Sequence, residues 1–315
     1  MTIGTKDAGI LRDLARQVAQ IAALPVQDER RELWKKHNSL ERPRPMILVF
    51  PEGSWSELMP EGTLQCEDEE ARKYEWELRM RIYYHENFHD DTVIHPYIVV
   101  KKVAWTTGWG VEFDYVHSEE ARGAYRWNPV IEDEADLEKL TLPEVKYDAE
   151  ETRRRLEQAH EIFDGILPVI LKGVDCISFH LMSFLCRAHG LQRVMMDMLD
   201  NPGFIHKAMS ILEEGNRRII EQYAEMDLLD LNNDMTYHSS GGVGYTDELP
   251  QDDYDGKTVR PCDMWASAEA QELAGVGPDM HYEFSMQYEM RLLEPFGLNG
   301  YGCCEDLTQK LGYVK

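Results

Sequence analysis

No stretch of this 315-residue chain approaches the roughly 18 consecutive apolar residues of a membrane span. Positive charge is scarce: 33 Lys and Arg stand against 58 Asp and Glu, a formal net charge of -25. Binding to nucleic acid needs Lys and Arg to displace counterions from phosphates, so this balance argues against it. An anionic membrane surface is disfavoured for the same reason. Cysteine is sparse, with six residues at 66, 176, 186, 262, 303 and 304, and the amino-terminal MTIGTKDAGILRD has no apolar signal core. Reduced thiols in a cytoplasmic protein are therefore expected rather than a disulfide framework. Internal repeats, Ser/Gly-rich linkers and low-complexity tracts are also missing. The acid clusters at 67–70, 132–136 and 251–255 read as solvated loops and helix starts.

What is present alternates helices with short apolar runs. Residues 8–40 read as two helices, the second (Gln27 to Asn38) dense in alternating charge. Glu69 to Phe88 reads as one long helix with Tyr74, Leu78, Ile82 and His85 near one stripe, which makes His85 a core histidine. Ala149 to Phe163 and Phe204 to Tyr223 are amphipathic helices, the second entered through DNPGF. Helices are also expected over 266–275 and 280–293. Strand candidates are MILVF (46–50), PYIVVKK within HPYIVVKKVAW (95–105), ILPVILKG (166–173), LLDLN (228–232), VRPCDMW (259–265) and the lead into GYGCC. TTGWGVEFDYVH (106–117) alternates in the period of an antiparallel hairpin. This order predicts a single α/β domain, a (β/α)8 TIM barrel over 41–315 behind an amino-terminal helical extension over 1–40, two strands short of closure.

Chemistry gathers at the expected strand ends. GLNGYGCCEDL (297–307) passes from an apolar lead through glycines to Cys303, Cys304 and Glu305, packing soft and hard metal ligands into three residues. NNDMTYHSSGG (232–242) delivers Asn232, Asn233, Asp234, Tyr237 and His238 to a polar loop, costly to order without a task. Glu52 emerges after MILVF with Trp55 close behind, and reads equally as a ligand or acid/base and as a turn cap. Asp175, Cys176 and His180 follow ILPVILKG within a few residues, a grouping that permits a metal but equally describes a buried helix start. GYTDELPQDDYDG (244–256) lacks EF-hand spacing and reads as a surface loop.

RPRPMILVFPEGSW (42–55), YYHENFHDDTVIHPYIVV (83–100), LNNDMTYHSSGGVGYTDELP (231–250) and GLNGYGCCEDL (297–307) together resemble the uroporphyrinogen decarboxylase superfamily. The likeness is nearest to the decarboxylase-like proteins that accompany corrinoid methyltransferase systems of anaerobic bacteria. It runs from about residue 25 to the carboxyl terminus. It implies a TIM barrel, and relatives that continue past Lys315, so the last carboxyl-terminal strands are expected to be lacking here.

That superfamily holds two chemistries. Its decarboxylases resemble one another in an arginine-rich amino-terminal motif, where this chain has PEGSWSE (51–57); a polyanionic porphyrinogen would be repelled. Its cobamide-dependent methyltransferases resemble one another in a zinc site of His-x-Cys and a later Cys. Cys304 falls on the family cysteine, while Gly302 stands where histidine is expected. The resemblance thus implies methyl transfer between a small methylated compound and a corrinoid, free or on a partner protein, with zinc assistance. Cys304 is then the first ligand, with Cys303, His238, Glu305 and Glu52 as further candidates; Glu52, Asp234, Tyr237 and His238 are the catalytic candidates. Trp55, Trp105, Trp109 and Asn232 are expected to line the cofactor site, and a homodimer is compatible with all of this. The alternative is decarboxylation of a tetrapyrrole or other acid, with Asp234, Tyr237 and His238 handling protons. A second alternative is a non-catalytic corrinoid or tetrapyrrole carrier with a tryptophan stacking surface.

Overall fold

A computed structural model describes residues 3–120, 123–238 and 242–314. In chain order its longer elements are helices α1 (Thr5–Ala22), α2 (Pro25–Asn38) and α3 (Glu69–Tyr83), then strands β1 (Ile98–Lys101), β2 (Val103–Thr106), β3 (Asp114–His117), β4 (Tyr125–Asn128) and β5 (Val145–Asp148). Helix α4 (Ala149–Phe163), strands β6 (Val169–Lys172) and β7 (Ser178–Phe179), and helices α5 (Leu191–Asp200) and α6 (Pro202–Glu225) follow. Strand β8 (Trp265–Ala268), helix α7 (Gln287–Leu293) and strand β9 (Leu298–Tyr301) complete the series. The chain divides into two compact units. The first comprises Met1–Val103, Asp148–Gly173 and Val243–Asp247, and the second Ala104–Tyr147, Val174–Gly242 and Glu248–Lys315.

The first unit is built on helix periodicity. Leu11, Leu14, Ala15 and Val18 of α1 bury one face in a core shared with Ala71, Leu78 and Ile82 of α3, Ala159, Ile162 and Phe163 of α4, and Ile98 and Val100 of β1. Each large apolar side chain removed from water stabilises by about 1.5–3 kcal/mol. Asp68 caps α3 by accepting from the Glu70 and Ala71 N–H groups, and Asp148 caps α4 by accepting from Glu151. Buried acids hold loops to this frame. Asp7 accepts from the Glu67 and Asp68 amides, and Glu75 from those of Gln65 and Cys66. Strand β1 pairs parallel to β6, with Ile98 opposite Val169.

In the second unit β7, β8 and β9 form a parallel sheet with β8 in the middle. Ser178 lies opposite Ser267, and Ala268 opposite both Phe179 and Tyr301. Phe179, Ala266 and Ala268 share a core with Phe204, Ala208 and Leu212 of α6 and with Leu292 and Leu293 of α7. The small residues of β8 leave room for these larger neighbours. Strands β3 and β4 form an antiparallel hairpin, Asp114 opposite Asn128, so the partner of the alternating segment comes from beyond 106–117.

The expected eight-stranded TIM barrel is overturned. Among the described residues the strands form three two-stranded pairs and one three-stranded sheet. MILVF is no strand: the Ile47 amide donates to Asp91 Oδ2 at 2.8 Å and the Val49 amide to Asp90 Oδ2 at 2.9 Å. Side-chain carboxylates thus satisfy the donors a neighbouring strand would have taken. Ile47 and Phe50 are exposed. LLDLN contributes a single bridge, Leu229 to Val174. The strand expected at 259–265 starts only at Trp265, after a one-turn helix over Pro261–Asp263, and replaces the start of the helix expected from 266. With these three of the six expected strands missing or shortened, too few neighbours remain for closure.

Candidate active site at the ends of three parallel strands

Parallel strands β7, β8 and β9 release their chains at one end of the sheet, where α/β folds place ligands. His180 follows β7, Glu269 follows β8, and Gly302, Cys303, Cys304 and Glu305 follow β9. Backbone bonds register these ends. The Glu269 amide donates to the Phe179 carbonyl at 3.2 Å and the Gly302 amide to the Ala268 carbonyl at 2.9 Å. Strands stand about 4.8 Å apart, so the His180 and Cys303 backbones lie roughly two spacings, about 10 Å, from one another.

His180 Nδ1 is 2.5 Å from Glu269 Oε1. The imidazole is half exposed while the carboxylate is 3% exposed, so a buried acid orients a ring that reaches the surface. Burial alone would raise the Glu269 carboxyl. Hydrogen bonds from His180 and from the Gln271 amide outweigh that and hold it below the ordinary value. Glu272 behaves oppositely: burial first, then the charge of Glu269, pushes it up, and its Oε2 is buried without a hydrogen-bond partner. Two neighbouring carboxyls driven apart in proton affinity, beside an oriented imidazole, constitute an acid/base arrangement.

The thiol loop is fixed from beneath. Glu305 turns inward, 8% exposed, and accepts from the Ala270 amide at 3.2 Å and the Cys303 amide at 2.7 Å. Gly302 enters the loop at φ +111°, a backbone that glycine alone adopts without strain. Cys303 Sγ and Cys304 Sγ lie 3.6 Å apart, with Cys304 exposed. The neighbouring Cys303 thiol first, and then the Glu305 and Glu269 charges, push the Cys304 thiol above its ordinary value.

A buried polar chain runs below. Lys310 Nζ donates to His281 Nδ1 at 2.7 Å, His281 Nε2 lies 3.0 Å from the Tyr301 hydroxyl, and that hydroxyl donates to Glu289 Oε2 at 2.7 Å. Ser285 Oγ donates to the other Glu289 oxygen at 3.1 Å. Burial drives His281 down to about 4 and Glu289 up to about 8, which favours the neutral imidazole and the protonated carboxyl in this interior.

The residues expected to be functional are dispersed. Cys303, Cys304 and Glu305 come together as described. His238 and Asn232 also meet, but at the start of β8: His238 Nε2 lies 3.1 Å from the Asn232 carbonyl and the ring stacks on Trp265. The thiol loop is latched to Ala268–Ala270, at the other end of the four-residue strand, about 10 Å along it. The fully buried Asn232 donates to the Asp175 and Trp265 carbonyls and accepts from the Trp265 amide, which makes it a clasp between chain segments. Asp234 accepts from the Thr236 amide and hydroxyl, Tyr237 is exposed, and residues 239–241 of that loop lie outside the described residues. Trp109 packs on Phe184 in the core, and Trp105 is half exposed on β2.

Glu52 and Trp55 belong to the first unit. Glu52 is exposed on a single helical turn with φ +47°. Trp55 meets Trp76, Tyr83, Tyr84 and Phe88 edge to face beside a cleft of about 730 Å³.

The expected zinc shell does not fit this arrangement. Glu305 is committed to two backbone amides and His238 sits at the opposite strand end. Among the described residues no group of three or more His, Cys, Asp and Glu side chains is placed to hold a metal ion. Sequence reading noticed His180 but missed Glu269 and Glu272, which lie in WASAEAQEL, an alanine-rich run that reads as helix. The signal available was Trp265 and three small residues ending on an acid, the pattern of a tightly packed buried strand. Set against known proteins, the chain matches no family model, and no curated protein or solved structure is significantly similar to it.

Proposed function

We propose that this chain is an enzyme that transfers a methyl group from a small methylated amine, with His180 held by Glu269 as the proton-transfer group. The observation that carries it is the 2.5 Å contact of a half-exposed imidazole with a buried carboxylate at parallel strand ends. In this reading His180 protonates the amine nitrogen, the nucleophile takes the methyl group, and the neutral amine departs with the proton. Glu269 and Glu305 favour the cationic intermediate state, and the same charges disfavour a polycarboxylate tetrapyrrole. Methyl transfer itself, and a corrinoid on a partner protein as the acceptor, rest on the sequence resemblance; proton transfer rests on the geometry. This reading routes no step through zinc or His238, which lies beside Trp265 at the other end of β8 from the thiol loop.

The test is formation of methylcobalamin from cob(I)alamin, followed by absorbance, with methylated amines compared against methanol and dimethyl sulfide. Amines are expected to react preferentially, and His180→Ala to lose about 10²- to 10⁴-fold in turnover with unchanged melting. Absence of product with every donor would overturn methyl transfer. Full turnover by His180→Ala would overturn the role of the imidazole.

A further inference from the structure

We propose that Cys303 and Cys304 form a two-thiol clamp for a trivalent metalloid that retains one organic substituent, a mono-organoarsenical being the type ligand. The inference stands on the thiol geometry and is independent of the methyl-transfer reading. Two bonds of about 2.3 Å, the metal–thiolate length, place sulfurs roughly 4.6 Å apart around a linear ion. They place them roughly 3.3–3.8 Å apart where the bond angle lies between a right angle and the tetrahedral one. The observed 3.6 Å falls in the second range, so a linear two-coordinate ion is mismatched and a pyramidal centre fits.

Ligand number narrows the class further. A tetrahedral metal needs more donors, and among the described residues no third or fourth ligand is placed to complete a site. A pyramidal centre that brings its own carbon needs only two sulfurs. The pair is also held in position: Glu305 grips the Cys303 amide and the Gly302 amide is bound to Ala268, so little order is lost on chelation. Cys304 reaches solvent, which gives a bulky arsenical access. With phenylarsine oxide, two arsenic–sulfur bonds form and the arsenic–oxygen bond breaks. Both thiol protons leave with that oxygen as one water, and neither arsenic nor sulfur changes oxidation state.

Phenylarsine oxide is therefore the probe, added to the full chain and read by intact mass, with the adduct located by peptide mapping. The expected product is one phenylarsenic per chain on residues 303 and 304, resistant to excess 2-mercaptoethanol and removed by 2,3-dimercaptopropanol. Cys303→Ser and Cys304→Ser are each expected to retain it about a hundredfold more weakly, because the second bond of a chelate forms at high effective concentration. Cys176→Ser, at another exposed thiol, is expected to bind as the parent does. Arsenite, lacking the organic substituent, is expected to bind more weakly than phenylarsine oxide. An adduct stripped by monothiol, one mapping to Cys176 or Cys262, or equal retention by either single-serine variant would overturn the clamp. Mapping on the unsubstituted chain decides the matter even where a variant fails to fold.

Discussion

At the scale of single residues, two side chains expected from their type to bind something turn out to hold the second unit together. Asn232 makes three hydrogen bonds while wholly buried. Asn232→Ala removes all of them at once, at about 1 kcal/mol each or more where a buried group is stranded. A loss of roughly 3 kcal/mol in urea unfolding is expected; a variant that melts normally but loses a ligand would restore the binding role. Trp109 is similar, because its indole packs where a Cβ at Gly215 would come within 2.4 Å of it. The glycine in the middle of α6 is thus required by a close approach, although alanine is the better helix former. Gly215→Ala is expected to destabilise by about 1–3 kcal/mol as an overpacking change, with Trp109 fluorescence shifting as the ring is displaced.

At the scale of elements, the segment at 46–49 shows how an apolar run is held without becoming a strand. Asp91 accepts from the Ile47 amide and takes a two-pronged contact from Arg44. That contact with Arg44 is the leading reason its carboxyl lies below the ordinary value. A depressed carboxyl contributes order that is present above the ordinary carboxylate range and lost as pH falls through its folded value. Amide exchange at Ile47 is therefore expected to quicken in strong acid, and at neutral pH in Asp91→Asn, while the α1 core amides stay protected. Unchanged exchange at Ile47 in that variant would remove the latch. Period was legible wherever it governed structure: Ala149–Phe163 matches its expected bounds and the two amino-terminal helices fall where their charges and apolar spacing put them. Period could not separate MILVF from a buried strand, because the decisive partners, Asp90 and Asp91, lie some forty residues on. WASA was misread since alanine favours helix in isolation, while in β8 small size is what the packing selects. The site was half visible for the same reason. The glycine-bounded thiol loop is local, whereas the contact between His180 and Glu269 spans 89 residues and leaves no local trace.

At the scale of the second unit as a whole, the buried chain from Lys310 to Ser285 gives folding stability two opposed dependences on pH. Glu289 has its folded carboxyl raised from 4.5 to about 8. The folded state therefore holds more protons than the unfolded one across that window, and this contribution, complete below 4.5, is lost as pH rises to 8. His281 is lowered from 6.5 to about 4, so its contribution is complete above 6.5 and lost as pH falls toward 4. Glu269, also depressed, adds to the acid side. A dome follows, with its alkaline limb belonging to Glu289, which faces Tyr301 and Ser285 directly and the charges of Glu269 and Glu305 at longer range. Between pH 6 and 8 a slope of about 1.4 kcal/mol per pH unit, halved by pH 8 where the folded carboxyl is half ionised, gives a loss on the order of 2 kcal/mol for this one group. Glu289→Gln keeps the volume and an acceptor for Tyr301 while removing the ionisation, so its stability is expected to stay nearly flat over that range. Urea unfolding of both proteins at pH 6, 7 and 8 separates the cases. If the parent chain loses no stability, or the Gln variant loses as much, the carboxyl is charged in the fold and the interior chain is held by an ion pair instead.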